Sequence, residues 1–133
     1  MTSRLPAGAL RVAVFLVAFA VAGCSDDPEG PGTLVLRVSG APLGAVVIEL
    51  EGEGLRGVEQ PATGWAELVP VAPRDGRPVH RLVVIRTVPG EITARLAVTD
   101  VATVRPVATV LEAADGDDRL VSSTASLRIS IGH

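Results

Sequence analysis

The sequence predicts one small domain made almost entirely of β-strands, preceded by an N-terminal signal segment. Apolar residues alternate with polar ones from Thr33 onward, Gly and Pro interrupt the alternation about every 8 to 12 residues, and no window longer than about ten residues keeps a helical period. The 133 residues suffice for one domain and are too few for a multidomain enzyme. We therefore expect a β-sandwich of about seven to nine strands, with a small open barrel as the alternative.

The first element is a hydrophobic segment that ends in small residues. Arg4 and Arg11 precede an apolar run from Val12 to Ala22, and this run is too short for a membrane-spanning helix, which needs roughly 20 residues. It has the length of the hydrophobic region of a secretory signal, about 7 to 15 residues. Residues 1–23 are therefore predicted to be a signal helix that is cleaved off.

The only cysteine of the chain follows this run directly. The sequence Val21-Ala22-Gly23-Cys24 resembles the lipobox of bacterial lipoproteins, with Val21 where the usual pattern has Leu. The resemblance implies cleavage before Cys24 and attachment of lipid to its thiol. It also implies the outer rather than the inner membrane in a Gram-negative cell, because Ser25 and not Asp follows the cysteine. The alternative is an ordinary small-residue stretch with a buried free cysteine.

A polar segment rich in Pro and Gly separates Cys24 from the first strand. Such a segment cannot bury apolar surface, so residues 24–32 are predicted to be a lipidated cysteine and a flexible tether. Lipid would consume the thiol, and the domain of residues 33–133 would then have no disulfide, thiolate nucleophile or thiol metal ligand. Its stability would come from packing alone.

Two strands with alternating apolar residues open the domain, and Gly40, Pro42 and Gly44 predict a turn between them. The apolar residues on one face of these two strands are Leu34, Leu36, Val38, Val46, Ile48 and Leu50. Trp65 to Val71 predicts a third strand. Trp65 is the only aromatic residue after the signal segment, and we expect it to fill the core or a sheet edge.

The remaining strands follow a strong turn signal at Arg74–Pro78. His80–Val88 is apolar on both faces at its centre, which predicts a central strand, and Pro89-Gly90 is expected to turn the chain into the next one. The later strands are predicted over Ile92–Val98, over Val107–Ala113, and over a closing segment in which Leu127, Ile129 and Ile131 face inward.

Two parts of this domain resemble known modules. Gly44–Leu50 followed by Gly54–Glu59 is similar to the early strands of cohesin-like modules, and Thr109–Asp115 with the Leu127–Ile131 ending is similar to the last hairpin of small envelope lipoproteins. The resemblance implies an immunoglobulin-like or cohesin-like sandwich with a tendency to bind other proteins. In cohesins a sheet face binds dockerin repeats, but the resemblance carries no individual residues over to this chain.

Few residues of the domain offer catalytic chemistry. Its two histidines are His80, at a predicted strand start, and His133, at the end of the sequence. Acid, base or nucleophilic catalysis needs an activated group with an orienting partner. We therefore expect no enzymatic activity, no catalytic residue and no cofactor.

Arginines gather around the turn at Arg74–Pro78. We expect Arg74, Arg77 and Arg81 to form a partner-binding surface, because charge-assisted hydrogen bonds from guanidinium groups orient a carboxylate as well as attract it. The alternative is that these arginines pair loosely with nearby glutamates.

Three carboxylates surround Gly116 in a second polar turn. Asp115, Asp117 and Asp118 offer the oxygen ligands that calcium prefers, but the segment lacks the Gly and Glu spacing of an EF-hand loop. A polar hairpin turn is therefore favoured, and we expect no metal site.

Together these patterns predict a lipid-anchored cell-envelope protein that acts as a non-catalytic binding or structural module through protein contacts. The alternative is an accessory subunit of an envelope enzyme or transport complex. We expect a monomer that meets the membrane through its N-terminal lipid. Nucleic acid is not expected as a partner, because the net charge of −3 creates no attraction for phosphate.

Overall fold

The computed structural model describes residues 29–133, and it confirms the all-β prediction. In this part of the chain no helix is long and apolar enough to cross a membrane. The predicted signal segment, the cleavage site and Cys24 lie outside the described residues. The strands are β1 (Gly32–Glu51), β2 (Leu55–Val58), β3 (Trp65–Arg74), β4 (Arg77–Val98), β5 (Val107–Ala114) and β6 (Arg128–Gly132).

All six of these strands belong to one antiparallel sheet in the order β2-β4-β1-β5, in which β3 also pairs with β4 and β6 also pairs with β1. The two central strands are long, with 20 residues in β1 and 22 in β4. Gly32–Val38 pairs with Ile92–Val98, and Ala45–Glu51 pairs with Val79–Ile85. The sheet therefore has two halves that share the same pair of central strands.

The predicted turns at Gly40–Gly44 and at Pro89-Gly90 do not reverse the chain, and this part of the prediction is wrong. The strand pairing instead shifts register between Val38 and Ala45, and both strands continue past the shift. Gly and Pro mark bulges and bends inside strands as well as turns between them, because both relax or interrupt the regular ladder. Each long strand thus contains two of the predicted strands, which lowers the number from the expected seven to nine to six in residues 29–133.

The two halves of the sheet fold over each other. The backbone N–H of Gly52 donates to Pro78 at one end of β4, and Gly54 accepts from the N–H of Thr99 just past the other end, both at 2.9 Å. A straight strand of this length would separate its two ends by about 70 Å. Because one short loop is hydrogen-bonded to both ends of β4, the long strands must bend back on themselves.

The core lies between the two halves and is entirely apolar in the described part of the chain. The alternating positions predicted to face inward on β1 are buried as expected, with exposures of 0% for Leu36 and Ile48. Within residues 29–133 no other layer covers the sheet, so each half shields the other. The central residues of this core are Leu36, Val38, Leu43, Val46, Ile48, Leu50, Leu82, Val84, Ile92 and Leu96.

The predicted turn between β3 and β4 is confirmed as a two-residue hairpin. Asp75 and Gly76 have φ values of 51° and 76°, and Arg74 lies directly opposite Arg77. Positive φ at both central residues matches the right-handed twist of the flanking strands, and Asp-Gly is among the sequences that adopt it most readily.

The folded sheet has two distinct ends. We call the end formed by Gly30, residues 52–54 and residues 99–106 the loop end, and the opposite end, where β1 and β4 bend, the bend end. At the loop end Leu34 and Val98 pack with Val101 and Val104 in a second small apolar cluster. Gly30, two residues before β1, therefore lies next to this cluster at the loop end.

The bend of β1 provides a test of this fold. Gly40 has a φ of 116°, and a Cβ atom there would lie 2.7 Å from the carbonyl oxygen of Ser126. Gly40→Ala should lower the free energy of unfolding by more than about 1 kcal/mol, because both the conformation and the space exclude a side chain. Gly57→Ala is the matched control, since a Cβ atom there meets nothing within 4 Å. Urea unfolding followed by circular dichroism would measure both, and equal losses would contradict the proposed bend.

Candidate functional site

The outer face of the sheet carries a row of apolar side chains next to the bend. Trp65 pairs with Ile85, Ile85 with Ala45, and Ala45 with Ala114, and Ala114 forms an isolated bridge to Leu120. We call these five residues the apolar row. Four strand spacings give it a length of about 19 Å.

The apolar row faces away from the core. Its neighbours along each strand, Ala66, Val84, Val46 and Ala113, are buried in the core, and side chains alternate between the two faces of a strand. The larger members of the row are exposed, with 43% of Trp65, 45% of Ile85 and 72% of Leu120 accessible. Adjoining apolar side chains exposed in this way are typical of a binding surface.

The next row on the same face has acidic ends. Glu67 pairs with Val83, Val83 with Val47, and Val47 with Glu112. The two valines are half-buried, whereas both glutamates are exposed. Val83 and Val47 therefore form an apolar centre next to the apolar row, and one carboxylate lies on each side of this centre.

A shallow pocket extends the apolar row between β1 and β5. It has a volume of about 180 Å³ and includes Val47, Ala114 and Leu120 in its lining. This volume suits an apolar side chain of a partner better than a free small-molecule ligand, whose sites usually enclose roughly 300 to 1,000 Å³.

The outer face of the other half of the sheet is charged, unlike the apolar row. Arg95 Nε lies 2.9 Å from Glu59 Oε2, and Arg37 Nη1 lies 3.6 Å from Glu91 Oε1. Ion pairs between exposed side chains contribute little to stability, but they keep a sheet face hydrated. The apolar character is thus confined to the half that contains Trp65.

The structure shows why the sequence did not reveal this surface. Trp65 lies on β3, which is a sheet edge, as one of the two expectations had it, but its ring is exposed rather than in the core. The row becomes visible only from the register between strands that are far apart in the sequence. The sequence did contain one signal of this surface. Val84 faces the core, so Ile85 faces the opposite side of β4, where the alternation would normally place a polar residue.

Arg74 is engaged within the domain. Its Nη1 donates to Glu49 Oε1 at 2.6 Å and lies 3.6 Å from Glu51 Oε2, so the side chain reaches across β4 from β3 to β1. Val79, which pairs with Glu51 of β1 and Val71 of β3 in this region, is only 2% exposed. The hydrogen bond lowers the pKa of Glu49 and raises the pKa of Arg74.

The other two arginines of the predicted surface are exposed and separate. Arg77 and Arg81 lie on one face of β4, four residues and about 13 Å apart. Neither forms an ion pair within residues 29–133. Arg74 and Arg77 thus lie side by side at the hairpin, and Arg81 lies nearer to the apolar row. Arg74 pairs with glutamates, as the alternative interpretation predicted.

Arg77 also lines a cleft at the loop end. The cleft has a volume of about 660 Å³ and is open to solvent. Charged residues of both signs line it, together with Gly52, Gly54 and two threonines. The charged residues are Glu51, Glu53, Arg77 and Arg105.

The aspartate loop forms a polar turn. Asp115 Oδ1 accepts the backbone N–H groups of Asp117 and Arg119, at 2.8 and 3.1 Å, and the Asp115 N–H donates to the carbonyl of Arg119. This Asx-type arrangement closes the loop with its own carboxylate. Among residues 29–133, no three His, Cys, Asp or Glu side chains are placed to hold a metal ion, this loop included.

His80 lies on the central strand β4, between Pro70 of β3 and Leu50 of β1. Its side chain is on the core side, because His80 has the same parity along β4 as the buried Leu82 and Val84. The residue is half-buried. Its Nδ1 is buried without a hydrogen-bond partner in the described part of the chain. The residue therefore differs from the exposed or edge position expected for a histidine at a strand start.

Asp100 fastens the start of the domain to the loop end. Its Oδ1 accepts the N–H groups of Ala102 and Gly30, both at 2.9 Å, and its Oδ2 accepts the hydroxyl of Thr103 at 3.1 Å. Gly30 in turn accepts from the N–H of Val101. The hydrogen bonds from Ala102 and Gly30 lower the pKa of Asp100. Gly30, which lies inside the segment predicted as tether, is thus hydrogen-bonded to the loop end.

Comparison with protein-family models, with curated proteins and with solved structures finds no match for this chain.

The Asp100 hydrogen bonds predict a dependence of stability on pH. Because the folded state lowers the pKa of Asp100, its contribution is complete above the ordinary pKa of aspartate, about 3.9, and is lost as the pH falls through the lower folded value. Asp100→Asn should therefore be less stable than the unmodified protein at pH 6. The difference in stability between the two proteins should become smaller as the pH falls.

Thermal unfolding between about pH 6 and about pH 2.5 would measure this effect. Asp117→Asn is the control, because the Asp117 carboxylate makes no hydrogen bond in the described residues. A constant difference between the Asp100→Asn protein and the unmodified protein over the whole range would contradict the assigned role.

Proposed function

We propose that this protein is a lipid-anchored module of the cell envelope that binds another protein through the apolar row and does not catalyse a reaction. The single observation that supports binding is the exposed, cross-strand register of Trp65, Ile85, Ala45, Ala114 and Leu120. The inner face already has a complete core, so folding does not require these side chains to be covered. A partner that covers them would gain hydrophobic free energy.

The arrangement of the two ends supports the proposed anchoring. Gly30 is held at the loop end, whereas the apolar row lies beside the bend end. Lipid at Cys24 would keep the loop end next to the membrane, since six residues reach at most about 20 Å. The apolar row would then be presented away from the bilayer, where a partner in the periplasm or at the cell surface can reach it.

The charges around the apolar row indicate the chemistry of the partner. Glu67 and Glu112 stand on opposite sides of the apolar centre. Two copies that met face to face about a two-fold axis would bring Glu67 against Glu112 of the other copy, and the like charges would repel. We therefore propose that the partner is a different protein, whose contact surface has apolar side chains at its centre and Lys or Arg at its margins. The domain itself is a monomer in this proposal.

We infer that the folded sheet is an immunoglobulin-like or cohesin-like sandwich, with the two halves as its layers. The common apolar core between the halves supports this description, since sandwich layers share a core in the same way. An accessory subunit of an envelope enzyme or transport complex would use the same surface, and the identity of the partner would distinguish the two functions.

The arginines at the β3–β4 hairpin are a second candidate surface. Arg77 and Arg81 are exposed and form no ion pair within residues 29–133, so they are available to a carboxylate of a partner. Arg74, by contrast, would have to leave Glu49.

Lipid attachment can be tested at Cys24 in cells. Cys24→Ser should abolish incorporation of labelled fatty acid and leave the precursor uncleaved, because the thiol that accepts the lipid is absent. Ser25→Ala is the control and should be labelled and processed normally. Normal labelling of the Cys24→Ser protein would overturn the proposed anchor.

The binding surface can be tested by site-specific photo-crosslinking in intact envelopes of the full chain. A photo-reactive group at position 120 should cross-link to a partner segment that contains apolar residues flanked by Lys or Arg. A group at position 107 is the control, because Val107 is also exposed, at 61%, but lies outside the apolar row. Trp65→Ser should weaken capture at position 120 by about 30-fold, as expected for about 2 kcal/mol from a central aromatic residue.

The crosslinking also distinguishes the apolar row from the arginines at the β3–β4 hairpin. Equal capture from positions 107 and 120, or capture of an acidic segment at position 120, would contradict binding by the apolar row. Replacing Arg74, Arg77 and Arg81 by Ser should leave capture at position 120 unchanged. Loss of capture in that triple variant, with retention in Trp65→Ser, would assign the interface to the arginine hairpin instead.

A further inference from the structure

The cleft at the loop end contains opposite charges that are not paired with each other. Glu51, Glu53, Arg77 and Arg105 all line it, yet none of the ion pairs within residues 29–133 joins one of these arginines to one of these glutamates. Glu51 lies 3.6 Å from Arg74, which is not part of the cleft lining, whereas Glu53 and Arg77 form no ion pair within residues 29–133. Side chains of opposite charge normally pair when they can reach each other. Here the cleft keeps them more than 4 Å apart.

The cleft is built by backbone that is fixed in place. Gly52 and Gly54 are hydrogen-bonded to both ends of β4, and Arg105 Nη1 donates to the carbonyls of Val101 and Val104 at 2.9 and 2.7 Å. Arg105 is therefore held by its own loop while the rest of its guanidinium remains available. The volume of about 660 Å³ falls in the range of small-ligand sites, roughly 300 to 1,000 Å³.

We propose that this cleft binds a zwitterion that carries a phosphate and a primary ammonium group. The arginines Arg77 and Arg105 suit the phosphate, because guanidinium groups donate paired hydrogen bonds to its oxygens. Glu53 suits the ammonium group, which has three N–H donors and no acceptor, and Glu51 adds a second carboxylate that it shares with Arg74. Thr99 and Thr103 also line the cleft, and the Thr103 hydroxyl donates to Asp100.

The position of the cleft indicates where such a ligand comes from. Loop 99–106 both lines the cleft and holds Gly30 through Asp100, so the cleft lies beside the point where the described chain begins. With lipid at Cys24, the cleft stays within about 20 Å of the bilayer surface. We therefore assign the ligand as the phosphoethanolamine headgroup of a membrane lipid. This choice of source rests on the proposed anchor, whereas the zwitterion site does not.

The site would give the domain a fixed orientation on the membrane. A lipid tether alone allows the domain to rotate about a flexible segment. A headgroup held in the loop-end cleft adds a second attachment, and two linked weak contacts bind together much more strongly than either does alone. The bend end and the apolar row would then point away from the bilayer.

The zwitterion site can be tested by titrating the full chain in a phosphate-free detergent with soluble headgroup compounds. The backbone amide shifts of Gly52 and Gly54 provide the readout. Glycerophosphoethanolamine should shift both amides. Glycerophosphocholine should bind at least tenfold more weakly, because its methylated nitrogen has no N–H to donate.

Variants separate the two charged sides of the cleft. Arg77→Ser should weaken binding of glycerophosphoethanolamine about tenfold, as expected for loss of a charged hydrogen-bond donor. Glu53→Gln should weaken binding of the same compound but not of glycerol phosphate, which has no ammonium group. Arg119→Ser, at the bend end, is the control and should bind like the unmodified protein. Equal affinity for the choline and ethanolamine compounds, or unchanged binding by Arg77→Ser, would overturn the site.

The source of the ligand is tested separately in nanodiscs. With the full chain in phosphatidylethanolamine discs, the Gly52 and Gly54 amides should already be shifted before any ligand is added, whereas phosphatidylcholine discs should leave them unshifted. The same shifts in both kinds of disc would overturn the assignment to a bilayer headgroup. Neither experiment depends on the apolar row, and the detergent titration does not depend on the anchor, so their failures are distinguishable from failure of the proposed function.

Discussion

The coupled bend of β1 and β4 determines the rest of this structure. The two strands remain paired on both sides of the bend, so neither can straighten without the other. Folding one sheet over itself lets two halves of the same sheet bury a common core, and no helix is needed to cover either half. With no polar residue buried in the described part of the chain, this core is held together by burial of apolar side chains.

The bend also gives the molecule two distinct ends. It brings the end of β1, the loop 52–54, both ends of β4 and the loop 99–106 together, and these segments form the charged cleft. The apolar row lies in the half of the sheet beyond the bend. A chain anchored at its N-terminus would thus keep the charged cleft near the membrane and hold the apolar surface at a distance from it. The two proposed contacts do not compete for space.

Much of the local structure was predictable from the sequence because it depends on local chemistry. The alternation around Leu36 and Ile48 identified the buried face of β1, and Asp75-Gly76 identified the hairpin. The continuity of β1 through Gly40 was not predictable in the same way. A glycine at positive φ serves a turn and a bend equally well, and the choice depends on the partner strand.

The candidate site was less predictable than the fold, because it depends on register between distant segments. Trp65 and Leu120 are 55 positions apart in the sequence, and only the pairing of four strands places them in one row. The arginines were visible in the sequence, but the glutamates that bind Arg74 come from β1, two strands away in the sheet. Sequence patterns report which face a residue occupies, and they do not report which neighbours it meets there.

The central claim is that the two halves of the sheet form one cooperative unit around the shared bend. Native-state hydrogen exchange of the full chain tests it most directly, since it measures the opening free energy of each backbone amide. The amides of Leu36 and Ile48 lie in different halves, each between two neighbouring strands. We predict that both exchange only by global unfolding, with the same free energy and the same dependence on denaturant. Exchange of one half at a clearly lower free energy, while the other remains protected, would contradict the account.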